Sequence, residues 1–176
     1  DGRIALFNDA ALDGATNTST LLAALEACGV LHAAPRPRGG RNFPDAGMTV
    51  WHSPRWTLFF DTGPVGPDEQ PGHAHADTLS IECSLDGQRL FIDPGTYHYD
   101  DDDYRRFDRS TQAHNTVCVD GRDSSEVWSA FRVGRRARPL HVASVLSGDA
   151  IEASGSHDGY DRLPGRPRHS RTVSTV

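Results

Sequence analysis

The stretch Leu79-Ser80-Ile81-Glu82-Cys83-Ser84-Leu85-Asp86-Gly87-Gln88-Arg89-Leu90-Phe91-Ile92 decides the fold. Leu79, Ile81, Cys83 and Leu85 alternate with Ser80, Glu82 and Ser84, the period of a half-buried strand with a polar outer side. Asp-Gly tolerates the left-handed backbone of a tight turn, so Asp86-Gly87 predicts a hairpin with residues 88–92 as the returning strand. Working outward, residues 47–53 read as a strand with Met48, Val50 and His52 on one face, and residues 56–61 as a second. Downstream, residues 115–119, 130–133, 140–146, 150–154 and 171–176 have the same character, with turns at Asp120-Gly121 and Gly148-Asp149. Upstream, residues 2–8 carry a strand-like core, Ile4-Ala5-Leu6-Phe7. Thr18-Ser19 offers an N-cap, residues 21–27 read as a short helix, and Gly29 stops it. Residues 35–40, rich in Pro, Gly and Arg, form a loop, and the four acids 100–103 a solvated loop tip. Short strands at close spacing without alternating long helices predict an all-β fold, an antiparallel β-sandwich (supersandwich-like) or barrel, with one short N-terminal helix. The expected organisation is one domain over 1–176, with a lead-in segment and helix over 1–46 and the sandwich core over 47–176. The chain opens and closes mid-phrase, as a piece of a longer protein would.

Bulk properties narrow the function. A chain of 176 residues is long enough for one real core. No apolar run is long enough for a membrane span. The net charge of -6 leaves no global basic footprint for nucleic acid. Cys28, Cys83 and Cys118 are an odd set without paired spacing, which argues against a disulfide framework. Cys83 and Cys118, in apolar runs, are expected to be buried thiols.

The chemistry concentrates in Gly72-His73-Ala74-His75-Ala76-Asp77, Asp93-Pro94-Gly95-Thr96-Tyr97 and Ala113-His114-Asn115-Thr116. In an extended segment, side chains two apart share a face, roughly 6 to 7 Å apart. One imidazole of the His73/His75 pair can then bind a metal while the other meets substrate. Two His and one Asp from separate segments suit zinc, with a fourth position for water or another group. Asp77 fits a turn or a residue orienting an imidazole rather than a ligand. Arg105, Arg106 and Arg109 could hold an anion, although Arg109 equally suits a buried ion pair beneath the site. His157-Asp158-Gly159-Tyr160 suits a turn that contacts sugar, or an ordinary polar turn. His32, His52, His98 and His141 read as incidental.

Taken together, these motifs resemble the β-sandwich domain of the heparinase II/III-like polysaccharide lyases. The matching residues are Phe60-Asp61-Thr62-Gly63-Pro64, His73-Ala74-His75-Ala76-Asp77, Leu79-Ser80-Ile81-Glu82, Ile92-Asp93-Pro94-Gly95-Thr96-Tyr97, Arg109-Ser110-Thr111 and Ala113-His114-Asn115-Thr116-Val117. Glu126-Val127-Trp128, Phe131-Arg132-Val133 and the His157–Tyr160 turn also fit. The resemblance implies an N-terminal α/α toroid, missing from this chain, that packs against the sandwich. It implies a structural zinc ion (Zn2+) on His75, Asp93 and His114, and a catalytic His73 facing the substrate. Arg105, Arg109, Tyr97, His157 and Tyr160 are the expected substrate contacts. The substrate would be an acidic polysaccharide or oligosaccharide, cleaved by β-elimination at a uronic acid, with a Tyr and an Asn or His of the toroid doing most of the proton transfer. A periplasmic or extracellular location goes with the resemblance. The isolated chain is expected to bind metal with little or no turnover. Two other readings compete. One is a non-catalytic carbohydrate-binding or scaffold sandwich with a stabilising zinc. The other is a cupin-like metalloenzyme, disfavoured because the Glu such sites need soon after the His pair is lacking.

Overall fold

The computed structural model describes residues 2–30, 38–148 and 150–175. The elements, in chain order, are α1 (Thr18–Ala27), β1 (Gly39–Phe43), β2 (Met48–His52), β3 (Trp56–Asp61), β4 (Ile81–Leu85), β5 (Gln88–Phe91), α2 (Asp103–Arg109), β6 (Val127–Trp128), β7 (Arg132–Val133), β8 (Pro139–Ser147), β9 (Ala150–His157) and β10 (His169–Ser174). β1 to β5 make a five-stranded antiparallel sheet in chain order, and β10-β9-β8 a three-stranded one. β6 and β7 pair by themselves. Phe60, Leu79, Ile151 and Ala153 form the buried core between the sheets, with Trp51, Ile81 and Val173 packed against it. Alternate residues Ile151 and Ala153 of β9 point inward, which is why that strand repeats with period two. The fold is the expected β-sandwich.

The Asp86-Gly87 hairpin forms as read. Both residues take positive φ (49° and 78°), the backbone of a type I′ turn. Asp120 and Gly121 do the same (52° and 65°), closing a single Val119–Arg122 bridge instead of the strand expected over 115–119. α1 begins earlier than expected: Asn17, not Thr18 or Ser19, caps it by accepting from Thr20 N–H at 2.9 Å. Gly29, at φ 68°, ends it. The strand expected over 2–8 is absent, and that segment lies as an extended strap. A second helix was not expected. Asp102, placed in the acidic loop tip, caps α2 by accepting from Arg105 N–H at 3.0 Å. The loop expected over 35–40 runs into β1; its residues 35–37, with His32, Asp149 and Val176, lie outside the described residues.

The outer face of β4 corrects the half-buried reading. Glu82 is buried, as is Ser80 just before the strand. Glu82 Oε1 accepts from Leu6 N–H at 2.8 Å and from Asp93 N–H at 3.3 Å, and Oε2 meets Arg89. The N-terminal strap therefore lies over the polar side of the sheet and needs this carboxylate to satisfy its backbone. Cys83 is buried, whereas Cys118 is only partly so and Cys28 is exposed.

Candidate functional site

His73 ends a short 3-10 turn begun by Pro71, and Ala74 returns the chain to extended backbone. His75 follows, fully buried. Both imidazoles reach one carboxylate from the N-terminal strap. His73 Nδ1 donates to Asp9 Oδ2 at 2.7 Å, and His75 Nε2 donates to Asp9 Oδ1 at 2.7 Å. The neighbouring Asn8, at φ 56°, accepts from His75 N–H at 3.0 Å. Fully buried Arg105 also grips both Asp9 oxygens, and it donates to Thr96 Oγ1 and to the Ala130 carbonyl. Burial works against the Asp9 charge, but hydrogen bonds from His75, Arg105 and His73 outweigh it and hold the carboxyl far below its ordinary range. Nothing in the sequence marks Asp9: it stands 64 residues or more from every partner and belongs to no motif.

Asp93 and His114 meet beside His75. Asp93 Oδ1 accepts from Gly95 N–H at 3.2 Å, an Asx-type turn made by Asp-Pro-Gly. Its Oδ2 accepts from His114 Nδ1 at 2.8 Å. The rings of His75 and His114 lie 5.2 Å apart. Burial disfavours the His114 cation, but the Asp93 hydrogen bond and the Asp77 charge outweigh it and raise its pKa. His75 goes the other way, lowered chiefly by burial. Asp77 and Asp61 are buried beside them. Burial pushes Asp77 up, and burial together with Asp77 pushes Asp61 well above the carboxylate range. His75 Nδ1, Asp77 Oδ2 and His114 Nε2 are buried without a hydrogen-bond partner.

A cation suits this region. Asp61, Asp77 and Asp93 are buried carboxylates, of which Asp93 bonds His114 and Asp77 interacts with both His75 and His114, and the Arg105 charge is already taken by Asp9. An unpartnered His75 Nδ1 is a lone pair or a proton in need of a partner. Among the described residues no three His, Cys, Asp or Glu side chains already enclose a common metal position. The sequence grouping of His75, Asp93 and His114 is thus a neighbourhood of two contacting pairs.

The other expected residues divide. The His73 side chain is 60% exposed. Its ring lies edge-on to Tyr99 and Phe131, at 5.9 and 5.6 Å. Tyr97 is 78% exposed, and its backbone N–H is held by Asp108 at 3.0 Å. Arg105 and Arg109 are buried and already bonded, so neither offers its fork to an anion. Arg109 binds the carbonyls of Ala74, Trp128 and Ser129 rather than a carboxylate. His157 and Tyr160 are wholly buried, which corrects the exposed sugar-contacting turn. Tyr160 donates to the Val117 carbonyl at 2.6 Å, and burial pushes its pKa up to about 12.

Residues 35–176 match the family Heparinase II/III-like, C-terminal. The chain belongs to that family. A heparinase III gene product superposes with a TM-score of 0.70 at 19% identity, covering 99% of this chain and 28% of its own. The heparan sulfate lyase HepC of Pedobacter heparinus gives 0.72 at 16%, again over 99% of this chain and 28% of its own. A further heparinase III structure gives 0.68 at 19%, over 100% and 29%. At these identities the likeness speaks for the fold. The chain spans less than a third of the length of those structures. No curated protein matches it. Among the described residues no helix is long and apolar enough to cross a membrane.

Proposed function

We propose that this chain is the β-sandwich domain of a polysaccharide lyase that cleaves uronic-acid-containing glycans by β-elimination. Membership of the heparinase II/III-like family supports it. The observation that carries it is His73, an exposed imidazole whose inner nitrogen is pinned by a buried carboxylate. In β-elimination a base removes the C5 proton beside the uronate carboxylate, the C4–oxygen bond breaks, and an acid protonates the departing oxygen. His73 faces the open side of the site and bonds substrate there. An α/α toroid in the full-length protein supplies the remaining acid–base groups.

His75, Asp93 and His114 would hold a structural zinc ion, with Asp77 the nearby carboxylate that balances its charge. Zinc there would tie the Asp-Pro-Gly turn to the segment before β4, contributing to folding rather than to bond cleavage. The buried, unpartnered His75 Nδ1 supports this assignment.

The test is ultraviolet detection of unsaturated uronate product by the full-length enzyme on acidic glycans. Wild type should turn over. His73→Ala should lose roughly 100-fold or more, with Tm unchanged. Unaltered turnover by His73→Ala would sink the catalytic role, and loss of Tm without loss of turnover per folded molecule would favour a scaffold.

A further inference from the structure

The side chain that sets His73 comes from outside the family match. Asp9 lies in the strap before α1, ahead of the matched residues 35–176. It is almost buried, with 6% of its side chain exposed, while the His73 ring it holds is 60% exposed. Asp9 also takes two hydrogen bonds from the Arg105 guanidinium, which cannot lose its proton. The carboxylate is therefore charged and can only accept. His73 Nδ1, at 2.7 Å, must be the donor.

We propose that Asp9 is a positioning residue for His73: it selects the tautomer protonated at Nδ1 and turns a bare Nε2 lone pair toward the open face. The inference rests on the functional reading of His73 given above.

Several contacts make the arrangement rigid. Tyr99 and Phe131 stack at 5.5 Å and meet the His73 ring edge-on. Arg105 lies against the same two rings, at 5.1 and 5.4 Å from their centroids. The guanidinium that fixes Asp9 thus also fixes the aromatic wall of His73. Among the described residues, Nδ1 has the only hydrogen bond that the ring makes.

The chemical consequence is direct. A neutral imidazole held this way enters the site as a proton or hydrogen-bond acceptor, not a donor. A proton taken from a substrate group onto Nε2 would leave an imidazolium whose charge Asp9 stabilises, as the buried carboxylate does in a serine-protease triad. The same carboxylate orients His75 through its second oxygen. One acid from the strap therefore aligns both members of the His-x-His pair.

Nitrogen-15 spectra of histidine-labelled chain test the tautomer without any assay of activity. Wild-type His73 should report a protonated Nδ1 and a bare Nε2, the reverse of the tautomer that a free histidine side chain favours in water. Asp9→Asn should move His73 toward the Nε2-protonated form. In the full-length enzyme Asp9→Asn should lower kcat roughly 10- to 100-fold, with KM little changed. A wild-type His73 that is protonated at Nε2 overturns the proposal, and this measurement stands even if Asp9→Asn fails to fold. So does a folded Asp9→Asn enzyme with wild-type kcat. If His73→Ala leaves turnover intact while the tautomer depends on Asp9, the functional reading has failed and the positioning contact has not.

Discussion

His75 and His114 lie with ring centroids 5.2 Å apart, and His157 and His169 with theirs 5.1 Å apart. The spacing is nearly the same and the surroundings are opposite. Asp9, Asp77 and Asp93 attend the first pair. Among the described residues, no side-chain carboxylate hydrogen-bonds the second. His157 Nδ1 accepts from Gly159 N–H at 3.1 Å, so its proton is on Nε2, which donates to His169 Nδ1 at 3.1 Å. Burial, with like-charge repulsion from His169 on His157 and from Arg171 on His169, pushes both down to about 4. Gly159 could carry no side chain there: a Cβ would fall 2.4 Å from the Ser124 carbonyl oxygen. Imidazoles supplied with carboxylates are equipped to bind a cation or hold a proton. Imidazoles supplied with a backbone donor and each other are neutral packing. Residue type and burial do not distinguish the two; the partners do.

The largest break in this contrast should come from His75→Ala. Zinc measured by mass spectrometry should fall from about one equivalent toward none, and Tm should drop by on the order of 10 °C. Replacing His169 with Gln should leave zinc unaltered. Its signature lies in pH. The folded values near 4 sit below the ordinary 6.5, so the unfolded chain binds the extra protons. The stability involved is fully present above pH 6.5 and is lost as pH falls toward 4, on the order of 3 kcal/mol for each imidazole. His169→Gln should flatten that slope in thermal melts between pH 6.5 and 4. Tyr160→Phe sharpens the comparison further. Losing the Val117 bond should cost about 1 kcal/mol in denaturant unfolding and nothing in turnover; a drop in turnover would return the residue to the substrate site. Smallest of all, Arg55→Ala removes the exposed Arg55–Asp86 pair at the hairpin and should leave Tm unchanged.

The sequence made the sheets legible where local rules govern. Asp86-Gly87 needs only its own backbone to turn, and the alternation from Leu79 to Leu85 needs only its neighbours. It misled where the answer depended on what lies overhead. Glu82 looked solvated because nothing nearby announces that residues 2–9 fold back onto it. His157 and Tyr160 read as an exposed turn, since polar composition is silent about packing. The His73/His75 pair and the Asp93–His114 neighbourhood were visible as motifs, being short and local. Asp9 was not, because long-range pairing leaves no periodic trace. Arg105 was visible as a charge and misassigned for the same reason: its counter-ion is 96 residues away.

The strap has a practical consequence for anyone choosing where to begin a recombinant fragment. A clone started at residue 35, where the family match opens, would discard Asp9 and Leu6 together. The interior would then contain a stranded guanidinium, a cost of about 3 to 5 kcal/mol, and Glu82 would lose the nearer of its two backbone donors, Leu6 N–H, keeping only Asp93 N–H. Such a truncation would keep every recognised motif and still fail to express as a stable product.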